Sequence, residues 1–438
     1  MTETRTPGRP RPVLGAPPVT RLVLAAGAVS AAIFAWWVAR DPHGMMQLFD
    51  LHAYQVAGQR VVAGTSLYDT PLVGTVRGVF EFVYAPFAAL LFAPLAGLYG
   101  AGMLVAGLLL GIGLLLAVVA VSLAGLRTPG RLSPLLVLGL AGLALWCEPV
   151  WETVTFGQVN LLLALLVLAD LLGPPSARGR GVLVGIAAGI KLTPLFFVAY
   201  LLLTRRFREA AVATGTFLAT VLAGALVLPR DSVTFWSGAF ADPSRVGVPG
   251  HPGNQSLRGM IARELGDGPG DRGLWLGCAV LVAVAGLALA ARLAARGQRL
   301  GAVAVCGMTS TAVSPFSWVH HWVWFVPLLV LLLERALRHG SVRGWLGFGV
   351  ATAVGCHWFF RSLGDATAGL GGVAGALVRA GYQNGYVVLT VALLVAVARL
   401  PEHARRTPRG RSRGRFRLVG WPRPVPSPEP SRWPPRSM

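Results

Sequence analysis

Long apolar runs follow one another along most of this chain, separated by short polar or arginine-containing segments. A helix needs about 20 apolar residues to cross the hydrocarbon core of a membrane, so uncharged runs of this length are typical of spanning helices. The pattern predicts an all-α polytopic membrane protein with about twelve spans. Their predicted bounds are 21–39, 82–98, 101–124, 132–147, 158–173, 181–203, 209–228, 274–296, 300–314, 320–336, 343–360 and 384–400.

The charge distribution predicts which side of the membrane each loop faces. The formal net charge is +21, although charged residues make up only 13% of the chain. Arginine clusters lie near the N-terminus, at 205–208, 292–299 and 335–343, and after residue 400. Basic loops next to spans stay in the cytoplasm. We therefore expect a multi-pass plasma-membrane protein with both termini cytoplasmic, its basic segments held against anionic membrane lipid, and no nucleic acid as partner.

Three regions follow from this topology. Residues 1–20 are predicted to be a cytoplasmic tail and residues 21–400 a transmembrane domain. Residues 401–438 are predicted to be a disordered, basic, proline-rich cytoplasmic tail, because they lack the apolar content to fold. The topology conflicts with the rule for basic loops in one region, which indicates either a re-entrant span between 82 and 173 or different boundaries there. The arginines that it leaves on the outer side are Arg127, Arg131, Arg178 and Arg180.

The polar loops gather on the outer face in this topology, at about 40–81, 229–273 and 361–383. Acidic and amide side chains are concentrated there, and loops on a rigid scaffold commonly carry chemistry. We therefore expect an extracytoplasmic active site. The four cysteines have no paired spacing, and the sequence has no glycine-rich phosphate loop, zinc motif or serine-nucleophile motif. We expect no metal and no cofactor.

Asp50 opens an amphipathic segment in the first outer loop. Leu51, Tyr54 and residues 56–62 predict a helix that lies on the membrane surface and begins near Asp50. Two roles fit an aspartate at this place. It caps the helix, since aspartate is a preferred N-cap residue, or it acts as a general base whose pKa is raised at the membrane edge.

Lys191 is the only lysine of the chain and lies near the middle of an apolar run. A cation inside the membrane costs on the order of several kcal/mol unless a partner or a water-filled cavity receives it. Pro194 follows closely, and a proline breaks a helix and frees backbone groups that can line such a cavity. A lysine that snorkels from a helix end is the alternative. We favour a cation that meets a phosphate or an acidic partner inside the bundle.

Two clusters carry amide and guanidinium groups. Gln158 and Asn160 stand at a predicted helix start and suit a hydroxyl-rich ligand, with ordinary helix capping as the alternative. The second cluster lies in the loop at 229–273 and combines amides with arginines, which match a phosphate well. A solvated loop is the alternative there. Its members are Asn254, Gln255, Arg258 and Arg263.

Two adjacent histidines open a predicted helix in the segment Trp318-Val319-His320-His321-Trp322. Tryptophan prefers the membrane–water boundary, and an ionisable group there usually serves a function. An aromatic belt with two solvated histidines is the alternative. Adjacent side chains on an α-helix point about 100° apart. We therefore expect no metal between the histidines, and only one of them, by preference His321, in the cavity that holds Asp50.

A set of short motifs occurs in one order between about 50 and 325: Asp50 with Tyr54, Gly64 with Leu67-Tyr68, Phe82-Val83-Tyr84-Ala85-Pro86, Gly157-Gln158-Val159-Asn160, Lys191-Leu192-Thr193-Pro194, Asn254-Gln255-Ser256, and Ser314 to Trp322. Together they resemble glycosyltransferase family 87, the actinobacterial polyprenol-phosphate-mannose-dependent α-(1→2)-mannosyltransferases and their relatives. The resemblance implies a GT-C fold, a lipid-linked sugar donor, and an inverting reaction without a nucleotide sugar or an obligatory metal.

The resemblance also implies a role for each candidate residue. Asp50 acts as the general base. The departing phosphate is stabilised by Lys191, Arg258 and Arg263 and by one of the two catalytic histidines, His320 or His321. Trp318 stacks on a sugar ring. The donor is a polyprenyl-phosphate sugar, by expectation mannose, and the acceptor is a cell-envelope glycolipid or glycan. Sugar hydroxyls are held by Tyr54, Tyr84, Gln158, Asn160, Asn254 and Gln255.

Two alternatives to a mannosyltransferase stay open. The same scaffold resembles arabinofuranosyltransferases that use a polyprenyl-phosphate donor. A secondary transporter also combines many spans, broken helices and an intramembrane cation. It predicts polar sites at the membrane midplane and repeated halves, whereas here the polar residues gather in outer loops. We therefore favour the glycosyltransferase.

Overall fold

The computed structural model describes residues 13–14, 16–75, 78–126, 133–174, 176–266, 268–356 and 369–399. Several predictions concern residues outside these ranges. They are the C-terminal tail at 401–438, most of the N-terminal tail, the first part of the third outer loop at 361–368, and the positions of Arg127 and Arg131.

Helices form nearly all of the regular structure in the described residues. In chain order they are α1 (Pro17–Arg40), α2 (Pro42–Met45), α3 (Phe49–Ala63), α4 (Pro86–Phe92), α5 (Gly100–Gly125), α6 (Pro134–Ala144), α7 (Glu148–Phe156), α8 (Asn160–Leu172), α9 (Val182–Ile190), α10 (Phe196–Leu203), α11 (Phe207–Val227), α12 (Pro229–Ser237), α13 (Leu257–Leu265), α14 (Pro269–Ala295), α15 (Arg299–Val313), α16 (Phe325–His339), α17 (Val342–Gly355), α18 (Gly372–Gln383) and α19 (Gly385–Ala398). Short 3₁₀ helices occur at Ala93–Gly97, Thr193–Leu195, Ala239–Ala241, Pro243–Arg245 and Val319–Trp322. A small hairpin pairs β1 (Val73–Thr75) with β2 (Gly78–Phe80) in antiparallel register.

Four of the described helices are long and apolar enough to cross a membrane, namely α1, α5, α11 and α14. Two further pairs are bent, α6 with α7 by 89° and Gly372–Gly381 with α19 by 73°, and they raise the number to six if each pair is one span. The predicted all-α polytopic membrane protein is therefore confirmed. The count of about twelve spans is not, because several predicted spans are shorter apolar helices: Pro86–Gly97, Asn160–Leu172, Thr193–Leu203 and Arg299–Val313.

Two of the predicted spans are broken helices. The run at 181–203 leaves the helical conformation at Lys191, which is extended (φ −144°, ψ 136°), and continues as a 3₁₀ turn before α10. Pro194 cannot donate to the preceding turn, so the break that it predicts is confirmed. The run at 132–147 turns by 89° into α7. A broken or re-entrant segment there agrees with the first of the two alternatives for the region 82–173.

Several of the arginine clusters meet at one end of the helical bundle. Arg180 pairs with Glu209 at 3.1 Å, and Arg180 and Arg299 both donate to the carbonyls that end α8. Arg208 donates to the backbone carbonyl of Arg178 at 3.2 Å. Guanidinium groups here satisfy carbonyls that the helix leaves unpaired. The expectation that Arg178 and Arg180 lie on the opposite side from Arg208 is therefore wrong. The run at 181–203 is broken at Lys191 and does not complete a crossing, because Arg180 before it and Arg206 after it both contact Glu209.

The other ends of the same helices carry the candidate residues. α8 runs from Asn160 to the arginine end over 13 residues, which is about 20 Å at 1.5 Å per residue. α9 leads from the arginine end to Lys191, and α15 leads from Arg299 to the segment with the two histidines. The bundle thus places the candidate site about one helix length away from the arginine clusters.

Candidate active site

Asp50 lies in the first turn of α3, and the helix predicted to begin near it is confirmed. α3 follows Leu48, whose backbone is left-handed (φ 48°) and whose amide donates to the carbonyl of Thr155 on α7 at 2.8 Å. The start of α3 therefore rests on the end of α7. The N-cap position belongs to Leu48 and makes no side-chain capping hydrogen bond. Asp50 is thus not the helix cap that one alternative predicted.

Gly157 allows α3 and α7 to approach each other closely. Its backbone is left-handed (φ 71°) where α7 ends, and a Cβ atom there would lie 2.5 Å from the Cβ atom of Leu51. Glycine alone meets both requirements, because it has no Cβ and adopts positive φ without strain. Since Gly157 precedes Gln158 and Leu51 follows Asp50, this contact sets the distance between the aspartate and the glutamine.

Gln158 is the centre of a buried hydrogen-bond network. Its amide oxygen accepts from the hydroxyl of Tyr54 at 2.9 Å, from the hydroxyl of Tyr84 at 3.3 Å and from Nδ2 of Asn160 at 3.1 Å. The same side chain hydrogen-bonds to Asp50. Since the other three groups all donate to the amide oxygen, the amide nitrogen is the donor to the Asp50 carboxylate. The structure therefore brings five of the sequence-predicted residues together in one group.

The surroundings of Asp50 make its carboxylate a stronger base. Burial is the main effect, and it raises the pKa of the carboxyl group above its ordinary value because less water stabilises the anion. The electrostatic effect of His320, the hydrogen bond from Gln158 and the charge of Lys191 act in the opposite direction, while Glu152 adds to the rise. A raised pKa favours acceptance of a proton, as a general base requires.

Lys191 lies at the break between α9 and α10, and its ammonium group points into the bundle. The nitrogen is 2.8 Å from Nε2 of His321 and 3.4 Å from Oδ1 of Asn160, and it lies 5.5 Å from the centre of the Tyr84 ring. An ammonium group only donates hydrogen bonds, so Nε2 of His321 is the acceptor and the ring proton is on Nδ1. Lys191 thereby connects the amide network to the histidines instead of snorkelling to a helix end.

A small cavity of about 30 Å³ opens beside Lys191 and His321. Its lining combines a cation and several hydroxyl groups with apolar side chains. Such a lining suits a ligand that joins an anionic group to a hydrocarbon part. The polar lining residues are Asn160, Lys191, Thr193, Ser310, Thr311, Ser317 and His321, and the apolar ones are Leu163, Ala164, Pro194, Phe197, Val323 and Trp324. Within the described part of the chain, no three His, Cys, Asp or Glu side chains come close enough to hold a metal ion.

The two histidines lie on the 3₁₀ turn Val319–Trp322, and the α-helix begins only at Phe325. The predicted helix start at residue 320 is therefore wrong, and the α-helical angle between the two side chains does not apply. His321 lines the cavity beside Lys191. His320 is buried on the side of α7. Among the effects on the pKa of the Asp50 carboxyl group, the electrostatic effect of His320 is second only to that of burial. Both histidines thus belong to the site, on different sides of it.

The amides and arginines of the second outer loop form a separate polar cluster. Asn254 and Gln255 are buried and hydrogen-bond to backbone atoms of residues 249–252, 315–317 and 383. Arg263 donates to backbone carbonyls in the same loops. Arg258 is paired with the buried Asp271 at 2.7 Å. These contacts hold the segment just before the two histidines, and contact of these four residues with a donor phosphate or a sugar stays a prediction.

Trp318 packs against the same outer loop. Its ring centre lies 5.3 Å from that of His251, and a Cβ atom added at Gly253 would be 3.1 Å from the ring. Its backbone forms an isolated bridge with Asn254. The loop therefore lies against this tryptophan, and stacking of Trp318 on a sugar ring stays a prediction.

Sequence reasoning missed the contribution of α7. Thr153 donates from Oγ1 to the carbonyl of His320 at 3.2 Å, and Oε2 of Glu152 lies 3.4 Å from Nδ1 of His320. One turn earlier, Glu148 accepts a hydrogen bond from the hydroxyl of Tyr386 at 2.8 Å. A signal was present in the sequence, because two glutamates four residues apart between apolar runs are costly in a membrane unless they serve a purpose.

Comparison with known proteins reveals close relatives. The model of glycosyltransferase family 87 matches residues 82–315. A polyprenol-phosphate-mannose-dependent alpha-(1-2)-phosphatidylinositol pentamannoside mannosyltransferase of Mycobacterium tuberculosis is 34% identical over 93% of this chain and 94% of its own length. The protein of the same name from Mycolicibacterium smegmatis is 35% identical over 74% of this chain and 78% of its own. A polyprenol-phosphate-mannose-dependent alpha-(1-2)-phosphatidylinositol mannoside mannosyltransferase of Mycobacterium tuberculosis is 32% identical over 70% of this chain and 73% of its own length.

A comparison of structures gives a more distant similarity. The crystal structure of ArnT from Cupriavidus metallidurans bound to undecaprenyl phosphate matches 88% of this chain and 72% of that chain, with a TM-score of 0.44 and 17% sequence identity. The family model covers more than half of the chain, and the 34% identical relative matches it over nearly the full length of both proteins. The chain therefore belongs to glycosyltransferase family 87, as its motifs predicted.

Proposed function

We propose that this protein is an inverting membrane mannosyltransferase that moves mannose from a polyprenyl phosphate to a phosphatidylinositol mannoside or a related envelope glycolipid. The observation that carries the proposal is the polar chain from Asp50 through Gln158 and Asn160 to Lys191, which ends at a cavity with a partly apolar lining. Attack of a hydroxyl group on a lipid-linked sugar needs a base at one end of the site and a cation at the other. The names of the mycobacterial relatives contain this donor and this class of acceptor, and so support the proposal.

Asp50 is the general base in this reaction. The acceptor hydroxyl attacks the anomeric carbon from the face opposite the phosphate, and its proton passes to the Asp50 carboxylate as the new carbon–oxygen bond forms. The bond between the anomeric carbon and the phosphate oxygen breaks through an oxocarbenium-like transition state, and its electron pair stays on that oxygen. The raised pKa of Asp50 supports this role, as does the hydrogen bond from Gln158, which orients the carboxylate.

Lys191 and His321 stabilise the departing polyprenyl phosphate. Their side-chain nitrogens lie 2.8 Å apart at the edge of the cavity, so Nε2 of His321 accepts a hydrogen bond from the ammonium group of Lys191 and holds that cation beside a phosphate bound there. Ser310 and Thr311 line the same cavity, and their hydroxyl groups donate to the carbonyl of Gly307, a bond that each would exchange for one to the phosphate. The side chains of Phe197 and Trp324 suit the first part of the lipid chain. Positive charge is most effective in such a site because little water screens it.

The remaining predicted residues bind sugar and hold the loops in this proposal. Tyr54, Tyr84, Gln158 and Asn160 already share hydrogen bonds near Asp50, and they exchange some of these for sugar hydroxyls. Contacts of Arg258 and Arg263 with a donor phosphate, and of Asn254, Gln255 and Trp318 with a sugar, require the second outer loop to open.

We further propose that the site faces the outside of the cell. The helices α8, α9 and α15 each join the site to the arginine end of the bundle. Basic loops remain in the cytoplasm, so the site at the other end of these helices is extracytoplasmic. The predicted cytoplasmic termini agree with this orientation.

Cysteine labelling tests the orientation. In a variant without the four native cysteines, Ser244→Cys is expected to react with a membrane-impermeant maleimide in intact cells, because Ser244 is exposed in the loop after α12. Arg208→Cys, exposed at the start of α11, is the matched control and is expected to react only after the membrane is permeabilised. Labelling of Arg208→Cys in intact cells, and of Ser244→Cys only after permeabilisation, would mean that the topology is inverted and that the site faces the cytoplasm.

Transfer by purified protein in lipid nanodiscs tests the activity. We expect radiolabelled polyprenyl phosphomannose to yield a labelled phosphatidylinositol mannoside whose new sugar is released by an α-mannosidase. Polyprenyl phosphoarabinofuranose is the matched donor and is expected to give no product. Product from the arabinofuranose donor alone, or from neither donor with any phosphatidylinositol mannoside tested, would contradict the proposal.

A further inference from the structure

Helix α7 contacts His320 through three side chains. Glu152 places Oε2 3.4 Å from Nδ1 of the imidazole, Thr153 donates to the His320 backbone carbonyl at 3.2 Å, and the Phe156 ring meets the imidazole at nearly right angles with centres 6.1 Å apart. Residues 152 and 156 are one helical turn apart and so lie on the same side of α7. The helix therefore holds both the backbone and the ring of this histidine.

The imidazole nitrogen that faces Glu152 is buried. Within the described part of the chain, Nδ1 of His320 forms no hydrogen bond, and the side chains of His320 and Glu152 are only 10% and 16% exposed. A buried polar nitrogen without a hydrogen bond is costly, and the carboxylate is the acceptor that a small movement would bring within reach. Hydrogen bonds of catalytic groups are often long in a protein without substrate and shorten in the complex.

We infer that Glu152 is a positioning residue, which keeps a proton on Nδ1 of His320 and fixes the orientation of its imidazole. This inference rests on the proposed function, in which Asp50 is the base. A carboxylate behind a histidine fixes both the ring orientation and the tautomer. Glu152 itself does not touch the reacting atoms. It acts through His320.

The charged groups around His320 agree with this role. Glu152 on α7 and Asp50 on α3 are acidic, whereas Lys191 from the break after α9 is basic and binds the neighbouring His321. The two imidazole rings lie 4.9 Å apart and nearly perpendicular. Of the two histidines, His321 is thus paired with a cation and His320 with a carboxylate. In the proposed reaction, His321 therefore acts with Lys191 on the phosphate, and His320 acts near the base Asp50.

Enzyme kinetics give the first test. Glu152→Gln removes the charge but keeps the shape, and it is expected to lower kcat by about tenfold to a hundredfold, the size of loss known for carboxylate partners of metal-bound histidines, with little change in KM for the donor. Glu152→Asp keeps a carboxylate and is expected to lose less. The matched control is Glu148→Gln on the same helix, which keeps an acceptor for Tyr386 and is expected to leave kcat near the wild-type value.

The tautomer of His320 gives a second test that needs no substrate. In full-length protein with ¹⁵N-labelled histidines, the His320 signals are identified by their absence in His320→Gln. We expect the Nδ1 shift of a protonated nitrogen in the wild type and in Glu148→Gln, and a displaced shift in Glu152→Gln. If wild-type protein transfers no mannose but the shift responds, the proposed function fails while the pairing stands. An unchanged shift in Glu152→Gln, or equal activity of the Gln and Asp variants, overturns the positioning role.

Discussion

Asp50→Asn is expected to abolish mannosyl transfer while the protein still inserts in the membrane and binds the lipid donor. Asparagine has nearly the size of aspartate, and its oxygen still accepts a hydrogen bond from Gln158, so the first turn of α3 and the buried network persist. The change removes only the proton acceptor, and a general base contributes about 10²–10⁴-fold to a rate. Initial rates at saturating donor and acceptor, with donor binding measured separately, check this result.

Asp69→Asn is the matched control, because Asp69 is an exposed aspartate of the same outer loop. It is expected to leave the rate near the wild-type value. If Asp50→Asn instead keeps a substantial part of the turnover, Asp50 is a structural residue of α3 and another group accepts the proton.

The pH dependence of the wild type adds an independent check on Asp50. Burial raises the pKa of this carboxyl group, so the basic form is present above the raised pKa and is lost as the pH falls through it. We expect kcat/KM to decline on the acid side at a higher pH than an ordinary aspartate, with a pKa of about 3.9, would give. Residual activity of Asp50→Asn is expected to lack this decline.

The sequence was most informative where a residue type is costly in a membrane. Lys191 and the two histidines attract attention because charge and apolar surroundings conflict, and the structure places Lys191 and His321 in hydrogen-bonding contact. In the sequence, Gly157 stands out only as part of a motif. Its purpose becomes visible when the backbone shows a left-handed residue in contact with Leu51.

Hydropathy could not show where the chain bends. A window of apolar residues has the same average whether its helix is straight, broken or bent back, so hydropathy predicts a complete span for each of the runs at 132–147 and 181–203. The backbone shows a turn of 89° into α7 and an extended residue at Lys191. These breaks bring Glu152 and Lys191 to the site, and they also explain why Arg180 lies beside Glu209.

Partners distant in sequence could not be inferred from composition either. Arg258 looked like a phosphate ligand, because an arginine in an outer loop matches that chemistry. Its ion pair with Asp271 depends on how α13 packs on α14, and no local pattern encodes that contact. The structure thus gives Arg258 an intramolecular partner, and a phosphate has to compete with it.

Lys191→Met is expected to lower kcat by about 10²–10³-fold, the loss that follows removal of one group that stabilises developing negative charge. As the bond to the sugar breaks, the polyprenyl phosphate gains a negative charge in a cavity where little water can stabilise it. Methionine fills nearly the same space without the charge, and the broken helix around residue 191 does not depend on the ammonium group. Steady-state rates and donor binding together separate loss of the leaving-group effect from loss of the donor.

His321→Gln completes this prediction, because His321 and Lys191 are in direct contact at 2.8 Å. Groups that act as a unit are not additive, so we expect the double variant to be little worse than Lys191→Met alone. His251→Gln, on the outer loop beside Trp318, is the matched control and is expected to stay near the wild-type rate. A wild-type rate for Lys191→Met, or losses that add fully in the double variant, would mean that the two side chains do not stabilise one phosphate together. The leaving group would then need another partner in the cavity.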